Sequence, residues 1–487
     1  MKLLKVYISA FCMCSLSVLL NSCDDFLKEE PLDMKSSDQF WKTKADAESG
    51  VNALYFGGVP YLHNTDVGGG WTPKATMWGG IVSGLYVDKR KDRTFTTASE
   101  GCNFNIESFD DIAMKYWHEF YKGISRANFV IANIPTMTGV LDEATINNYV
   151  AQGKFFRAYG YFWLVKEFGG VPYISEPYTS TEGMYKERLS AEEVYKKIEA
   201  DLLDIVNGDA LPNKTFYENG CYVTRAMAQT LLAQVYLQWA GAPLNGGADY
   251  YGKAAQMALN VINDSPHGLI HPNGTTDDLN SAYNVIKTTK ESAEIIYAKE
   301  YNYSDYSVGN SYACRSIGTD AFQWGVFHPG GDVLYNAYLP CDMLLNSYAS
   351  NDIRGHEKQF FFKQYTDAEG NTHTLNNAGN WAWFDENALI SGHDGDYNMP
   401  VFRFAEVLLI AAEGLARTNH EDNAVGGAKY YLNQVRKRAG LADETATGND
   451  LIQSILTERL HELPLEFEIW DDIRRVCIRK HLPNQEN

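Results

Sequence analysis

The 487-residue chain has few of the short patterns that carry chemistry. Its eight cysteines show no Cys-x-x-Cys spacing, which argues against a zinc site and a dense disulfide framework. His-Glu occurs at His118-Glu119, His356-Glu357 and His461-Glu462, but no second histidine follows four residues after the first, so the zinc-protease pattern fails. Gly68-Gly69-Gly70 lacks the Gly-Lys-Ser/Thr ending of a phosphate loop, and no Gly-x-Ser-x-Gly nucleophile elbow is present. Asp394-Gly395-Asp396 is too short for an EF-hand calcium loop. Positive charge is scarce: 42 Lys and Arg face 62 Asp and Glu, for a net charge of -20. Such a surface repels nucleic acid and anionic headgroups, which disfavours phosphate tracking. No Pro- or Ser-rich linker divides the chain. Length alone suggests about three domains, but the pattern reads as one composite domain over residues 46–487.

What is present starts at the N-terminus. Lys2 and Lys5 form a basic region, and Val6 to Leu20 is an apolar run. That run is shorter than the roughly 20 apolar residues a bilayer span needs, so it reads as a cleaved signal over residues 1–22. Leu20-Asn21-Ser22-Cys23 has the form of a bacterial lipobox, with Cys23 as the lipidation site. Acyl chains contribute about 0.8 kcal/mol per buried CH₂, and more than one gives stable anchoring. Residues 23–45 then read as a lipidated, acidic tether. The five remaining cysteines, Cys102, Cys221, Cys314, Cys341 and Cys477, are scattered and read mainly as small buried hydrophobes.

Apolar periodicity predicts a mostly α fold. Ile112, Tyr116, Phe120, Ile124, Ala127 and Ile131 place a helix over 110–134, ended by Pro135. A second helix over 146–168 stops at Gly169-Gly170-Val171-Pro172. Ser190-Ala191-Glu192-Glu193 is a capping box that opens a helix over 190–206. Thr224 to Trp239 pairs with Tyr251 to Ile262, and Met399 to Arg417 pairs with Ala428 to Ala439. Leu451 to Leu463 begins a further helix. Stripes such as Ala226, Thr230, Ala233 and Tyr236 resemble degenerate tetratricopeptide (TPR) helix pairs, whose small residues allow close stacking. The helical scaffold spans about 109–262 and 399–475.

Between the helices lies a large irregular lobe, about 57–105 and 263–398, rich in Gly, Asn, Asp and Tyr. Long loops on a rigid scaffold are where binding function concentrates. Aromatics make up 13% of the chain, and an exposed ring offers a flat apolar platform to the C–H face of a sugar. The ligand-binding candidates are Trp71, Trp78, Tyr86, Trp324, Trp381 and Trp383. Trp78 and Trp324 stand out because a Gly follows each.

Several strings resemble the SusD/RagB family of outer-membrane nutrient-binding lipoproteins. Cys23-Asp24-Asp25-Phe26-Leu27-Lys28-Glu29-Glu30-Pro31 is similar to the family's mature start. Asn398 to Glu413, with Arg403, Glu406 and Glu413, resembles its hallmark helix. Leu432 to Leu441 and Glu458 to Leu463, continuing to Trp470 and Arg474-Arg475, are similar to the next blocks. Upstream, Arg126-Ala127-Asn128, Arg157-Ala158-Tyr159, Phe168 to Pro172 and Val223 to Ala228 match as well. Phe467 stands where the family has Gly, and Ile469 where it has Arg. The resemblance implies a cell-surface glycan-binding lipoprotein on the outer membrane. It would deliver oligosaccharide to a SusC-like, TonB-dependent transporter, with no catalysis, no metal and no cofactor beyond the lipid on Cys23. Peptide capture, as in RagB-like proteins, is the nearest alternative, and a lipid-anchored hydrolase is the alternative of another class. The Arg and Glu residues of the blocks are expected to pair between packed helices, not to touch ligand.

Overall fold

The computed structural model describes residues 40–57, 80, 82–87, 111–178, 180, 183–306, 309–310, 312–313, 316–328, 338–466 and 468–476. Cys23, Trp71 and Trp78 lie outside them, as do Cys102, Cys314 and Cys477. Cys221 and Cys341 are free thiols.

Helices dominate, and their ends follow the local chemistry. Helix α1 (Lys44–Asn52) opens on a Thr43–Asp46 capping box. Helices α2 (Asp111–Asn133) and α3 (Glu143–Phe168) form a pair. Helix α3 ends where Gly169 turns to φ 68°, a left-handed conformation that glycine adopts without strain. Helix α4 (Ala191–Val206) opens on the expected capping box, with Ser190 and Glu193 each bonded to the other's backbone N–H. Helices α5 (Arg225–Ala240) and α6 (Gly247–Asp264) make the next pair. Ala226, Thr230, Ala233 and Tyr236 of α5 and Ala254 and Ala258 of α6 are all buried. Helices α7 (Ala282–Thr288) and α8 (Glu386–Ser391) belong to the loop-rich part. Helices α9 (Phe404–Arg417), α10 (Ala428–Arg438), α11 (Gly448–Glu462) and α12 (Ile469–Val476) complete the scaffold. One continuous apolar cluster runs from Ala47 through these helices to Ile469.

The helix expected over 399–417 is shorter. Met399–Arg403 is strand β6, and only Phe404 onward is helical. Pro400 has no N–H to give a helix, and β6 instead pairs antiparallel with β2 (Ile295–Lys299), setting Lys299 opposite Met399. The region over 263–398 is also more ordered than its sequence suggests. Strands β4 (Phe361–Thr366) and β5 (Thr372–Asn380) form a hairpin, and β1 (Tyr86–Val87) pairs with β3 (Leu339–Pro340). The hairpin covers a second small core of Ile317, Phe327, Phe362, Tyr365, Leu375 and Phe384.

The Arg and Glu residues of the C-terminal blocks form buried networks between elements. Glu462 Oε1 accepts from Arg403 Nη1 (3.1 Å) and Arg438 Nη2 (2.5 Å), and its Oε2 from Arg354 Nη1 (3.2 Å). Glu294 takes a second bond from Arg403 and from Arg438 (2.9 and 2.6 Å). Arg475 forks onto both oxygens of Glu413 (2.7 and 2.6 Å). Burial pushes the Glu413 carboxyl up, but Arg475 and Arg417 outweigh it and hold it at about 2. Charges this deep are tolerated because each carboxylate meets a guanidinium fork. Ile469, which replaces an Arg of the family pattern, is buried in the core.

Candidate functional site

The candidate aromatics separate by packing. Tyr86 is only 2% exposed and stacks on Tyr338 (centroids 4.4 Å apart), while its hydroxyl donates to Pro464 O at 2.5 Å. It is a core residue, and the expectation of a displayed platform fails there because the ring is buried and stacked and its hydroxyl is engaged within the fold. Trp324, at the end of the 3₁₀ turn Thr319–Trp324, is half-buried against the hairpin. His373 stacks on it at 4.8 Å and 17°, and the Tyr365 ring lies parallel at 6.1 Å. Bonding to His373 at 2.8 Å holds the Asp367 carboxyl at about 2.

Trp381 and Trp383 follow β5 on a single 3₁₀ turn. Trp383 packs on Tyr312 and Tyr338 at 4.5 and 5.2 Å and is only 8% exposed. It lines a small cleft of about 70 Å³ between α7, β6 and the turn at Pro464–Glu466. Tyr397, Asn310, Asn398 and Lys287 also line it. Of the six sequence candidates, the structure brings Trp383 into the cleft lining, sets Trp381 beside it and places Trp324 apart, stacked on the hairpin.

Local chemistry holds the cleft walls. Asn310 and Gly395 exchange backbone bonds at 2.7 and 3.0 Å, and Asn310 Nδ2 donates to Tyr397 O at 2.8 Å. Asn398 Nδ2 donates to Glu300 Oε1 at 2.9 Å, and its Oδ1 accepts from Tyr301 N. Both Asn side chains therefore staple the loop. A Cβ at Gly395 would lie 2.8 Å from Asp385 Oδ2, so a larger residue there would push the Asp385 side chain aside. Trp381 Nε1 donates to Asn284 Oδ1 at 2.7 Å, which locks its ring against α7.

Lys287 supplies the charge. Its Nζ lies 4.2 Å from the Trp381 ring centroid, 5.1 Å from Tyr397 and 5.8 Å from Phe384. Burial pushes its ammonium down to about 7, against the opposing pull of Asp385 and Glu386. Sequence reading missed Lys287, Asn310 and Tyr397. A lone lysine on a short helix has no periodic signal that marks it as buried. Among the described residues, no group of three or more His, Cys, Asp or Glu is placed to hold a metal ion.

A larger open groove, about 980 Å³, lies between α1, α2 and Ser175–Pro177, with Phe40 and Trp41 in its wall. Its Arg126 is spent on Ala53 O and Phe56 O.

Comparison with known proteins places this architecture. Residues 359–485 match the model described as SusD family, and residues 81–237 match one described as starch-binding associating with outer membrane. The two matches together span more than half of the sequence, in the order the motifs predicted. This chain belongs to the SusD/RagB family. A SusD-like protein P2 of Formosa agariphila is 26% identical over 483 residues, covering 95% of this chain and 89% of the relative. A SusD-like protein of Bacteroides ovatus is 25% identical, covering 78% and 68%. The SusD fold itself is shared with a SusD superfamily protein from Parabacteroides distasonis: TM-score 0.75, 24% identity, 89% and 88% coverage. It is shared too with surface glycan-binding protein A from Bacteroides thetaiotaomicron in complex with laminarihexaose, at TM-score 0.66, 21% identity and 89% and 90% coverage. The expected mostly α fold with TPR-like pairs is thus that of the SusD family.

Proposed function

We propose that the protein captures oligosaccharide at the cell surface, held to the outer membrane by lipid on Cys23, and passes it to a SusC-like, TonB-dependent transporter. The observation that carries this reading is the match of residues 81–237 to a family described as starch-binding and outer-membrane associated. The cleft supports it: the half-buried Tyr397 gives an apolar surface for a sugar ring, in a wall already ordered by Asn310 and Asn398. A solved relative of the same fold binds laminarihexaose, which supports a glycan over a peptide as ligand. Capture needs no bond to be broken, so the geometry required is a preformed surface that costs little to order on binding.

The test is calorimetric titration of the full chain with a panel of oligosaccharides and peptides, with the products examined afterwards. Glycan binding without cleavage is expected, and Tyr397→Ala should weaken it about tenfold, or 1.4 kcal/mol. Binding only to peptides would replace the reading by peptide capture, and turnover of a bound oligosaccharide would replace it by hydrolysis.

A further inference from the structure

Lys287 is a half-buried ammonium that has lost water without gaining an anion. Among the described residues its Nζ makes no hydrogen bond and no ion pair; only the faces of Trp381, Tyr397 and Phe384 attend it. Lys166, also shielded, is bonded to Asp471 instead. Lys299 lies beside Glu300, whose charge opposes the effect of its burial. The acids nearest Lys287 are occupied elsewhere. Asp385 accepts from Ala388 N (3.2 Å) and Asp396 N (3.0 Å), and Glu386 accepts from the Tyr365 hydroxyl. Across the cleft, Glu466 is bonded to Arg403 Nε at 2.6 Å. A second cation, Lys358, sets its Nζ 5.4 Å from the same Trp381 ring, and it too lacks a hydrogen bond or ion pair among the described residues.

Leaving a shielded charge without a counter-charge is costly. Cation–π contact returns about 0.5–2 kcal/mol and leaves the three N–H donors unused. In a chain with 20 more acids than bases, two lysines that converge on one tryptophan beside a cleft are a charge arrangement suited to an external anion.

We propose that this cleft binds acidic glycans, with a sugar-borne carboxylate or sulfate seated on Lys287 Nζ and the sugar ring outside the small cleft, against the half-buried Tyr397. The proposal rests on the glycan-capture reading and narrows its substrate class. Lys287 would act as the group that distinguishes charged from neutral sugars, because a neutral ligand leaves the ammonium as it is. Lys358 would add long-range attraction at the rim.

The experiment is calorimetric titration of the full chain at pH 7 with four probes: oligogalacturonate, its methyl ester, a sulfated galactan oligosaccharide and a neutral β-glucan hexasaccharide. At least one of the two acidic probes is expected to bind tenfold or more tighter than both uncharged ones, and which of them does so identifies carboxylate or sulfate as the anion. Lys287→Gln should erase that preference, and Lys287→Arg should keep part of it. Thermal melts confirm that each variant is folded, and Lys287→Met serves where Lys287→Gln is not. Equal affinity for charged and neutral probes, or a preference that survives Lys287→Gln, overturns the proposal and leaves glycan capture standing. Binding to none of the four overturns both.

Discussion

Arg403, the last residue of β6, holds Glu462, the last residue of α11, by both side chain and backbone. Its Nη1 donates to Glu462 Oε1 at 3.1 Å and its Nη2 to Glu462 O at 2.8 Å. One guanidinium thus ties the strand that walls the cleft to the end of a scaffold helix. Glu462 is also the carboxylate shared by Arg354 and Arg438. Replacing it by Gln keeps the shape and leaves three buried guanidiniums short of charge. Glu462→Gln is expected to destabilise the protein by about 3–5 kcal/mol. Urea unfolding checks this, and an effect below about 1 kcal/mol would show that the network compensates.

His461, the neighbour of Glu462, makes stability depend on pH. Burial, then the Arg354 charge, lowers its pKa to about 4. It stacks on Tyr348 at 4.4 Å, and its Nε2 lies 2.9 Å from Ser347 Oγ. Asp352, Arg354 and Arg436 are the charged groups that face it. The folded state therefore favours the neutral ring, whereas the unfolded chain titrates near 6.5. Stability is complete above about pH 6.5 and falls as pH drops towards 4, by up to about 3 kcal/mol from this residue. Comparing wild type with His461→Gln by urea unfolding at pH 7 and 4.5 isolates the contribution. Equal pH dependence in the two proteins would refute it.

Gly414 sets how closely α9 approaches α6. A Cβ there would lie 2.5 Å from Tyr251 O and 2.9 Å from Ala255 Cβ. Backbone cannot retreat as a flexible side chain can. Gly414→Ala should cost about 1–3 kcal/mol through overpacking, despite alanine's better helix propensity. A gain in melting temperature would mean that the helices separate at little cost.

Tyr86 bridges β1 to the Pro464 carbonyl, on the turn that lines the cleft. Tyr86→Phe should lose about 1 kcal/mol of stability, more if the carbonyl stays dry. Glycan affinity should change less than twofold, since Tyr86 is a core residue. A large loss of affinity with unchanged stability would return Tyr86 to the ligand-contacting residues.

Helix placement was written in local sequence. The capping pair Ser190 and Glu193, the cap Thr224 and the stop at Gly169 act within four residues, so neighbours in sequence suffice to specify them. The residue types of the charge networks were legible as well, because the family blocks carry them. Partner choice was not: Glu462 meets Arg354, Arg403 and Arg438 only after four distant segments have folded together. The same holds for Met399–Arg403, where apolar residues before a helix read as its first turn until β2 supplied a ladder. Ring exposure is likewise a tertiary quantity. Tyr86, Trp324 and Trp383 are similar letters in similar loops, yet one is sealed in the core, one stacks on a hairpin and one edges a cleft. The sequence by itself determined the helical scaffold and its family, since both rest on short-range caps, periodicity and motif order. Tertiary packing alone decided which aromatic faces a ligand could reach and which lysines were left without an anion, because burial and charge pairing are set by residues far apart in the chain.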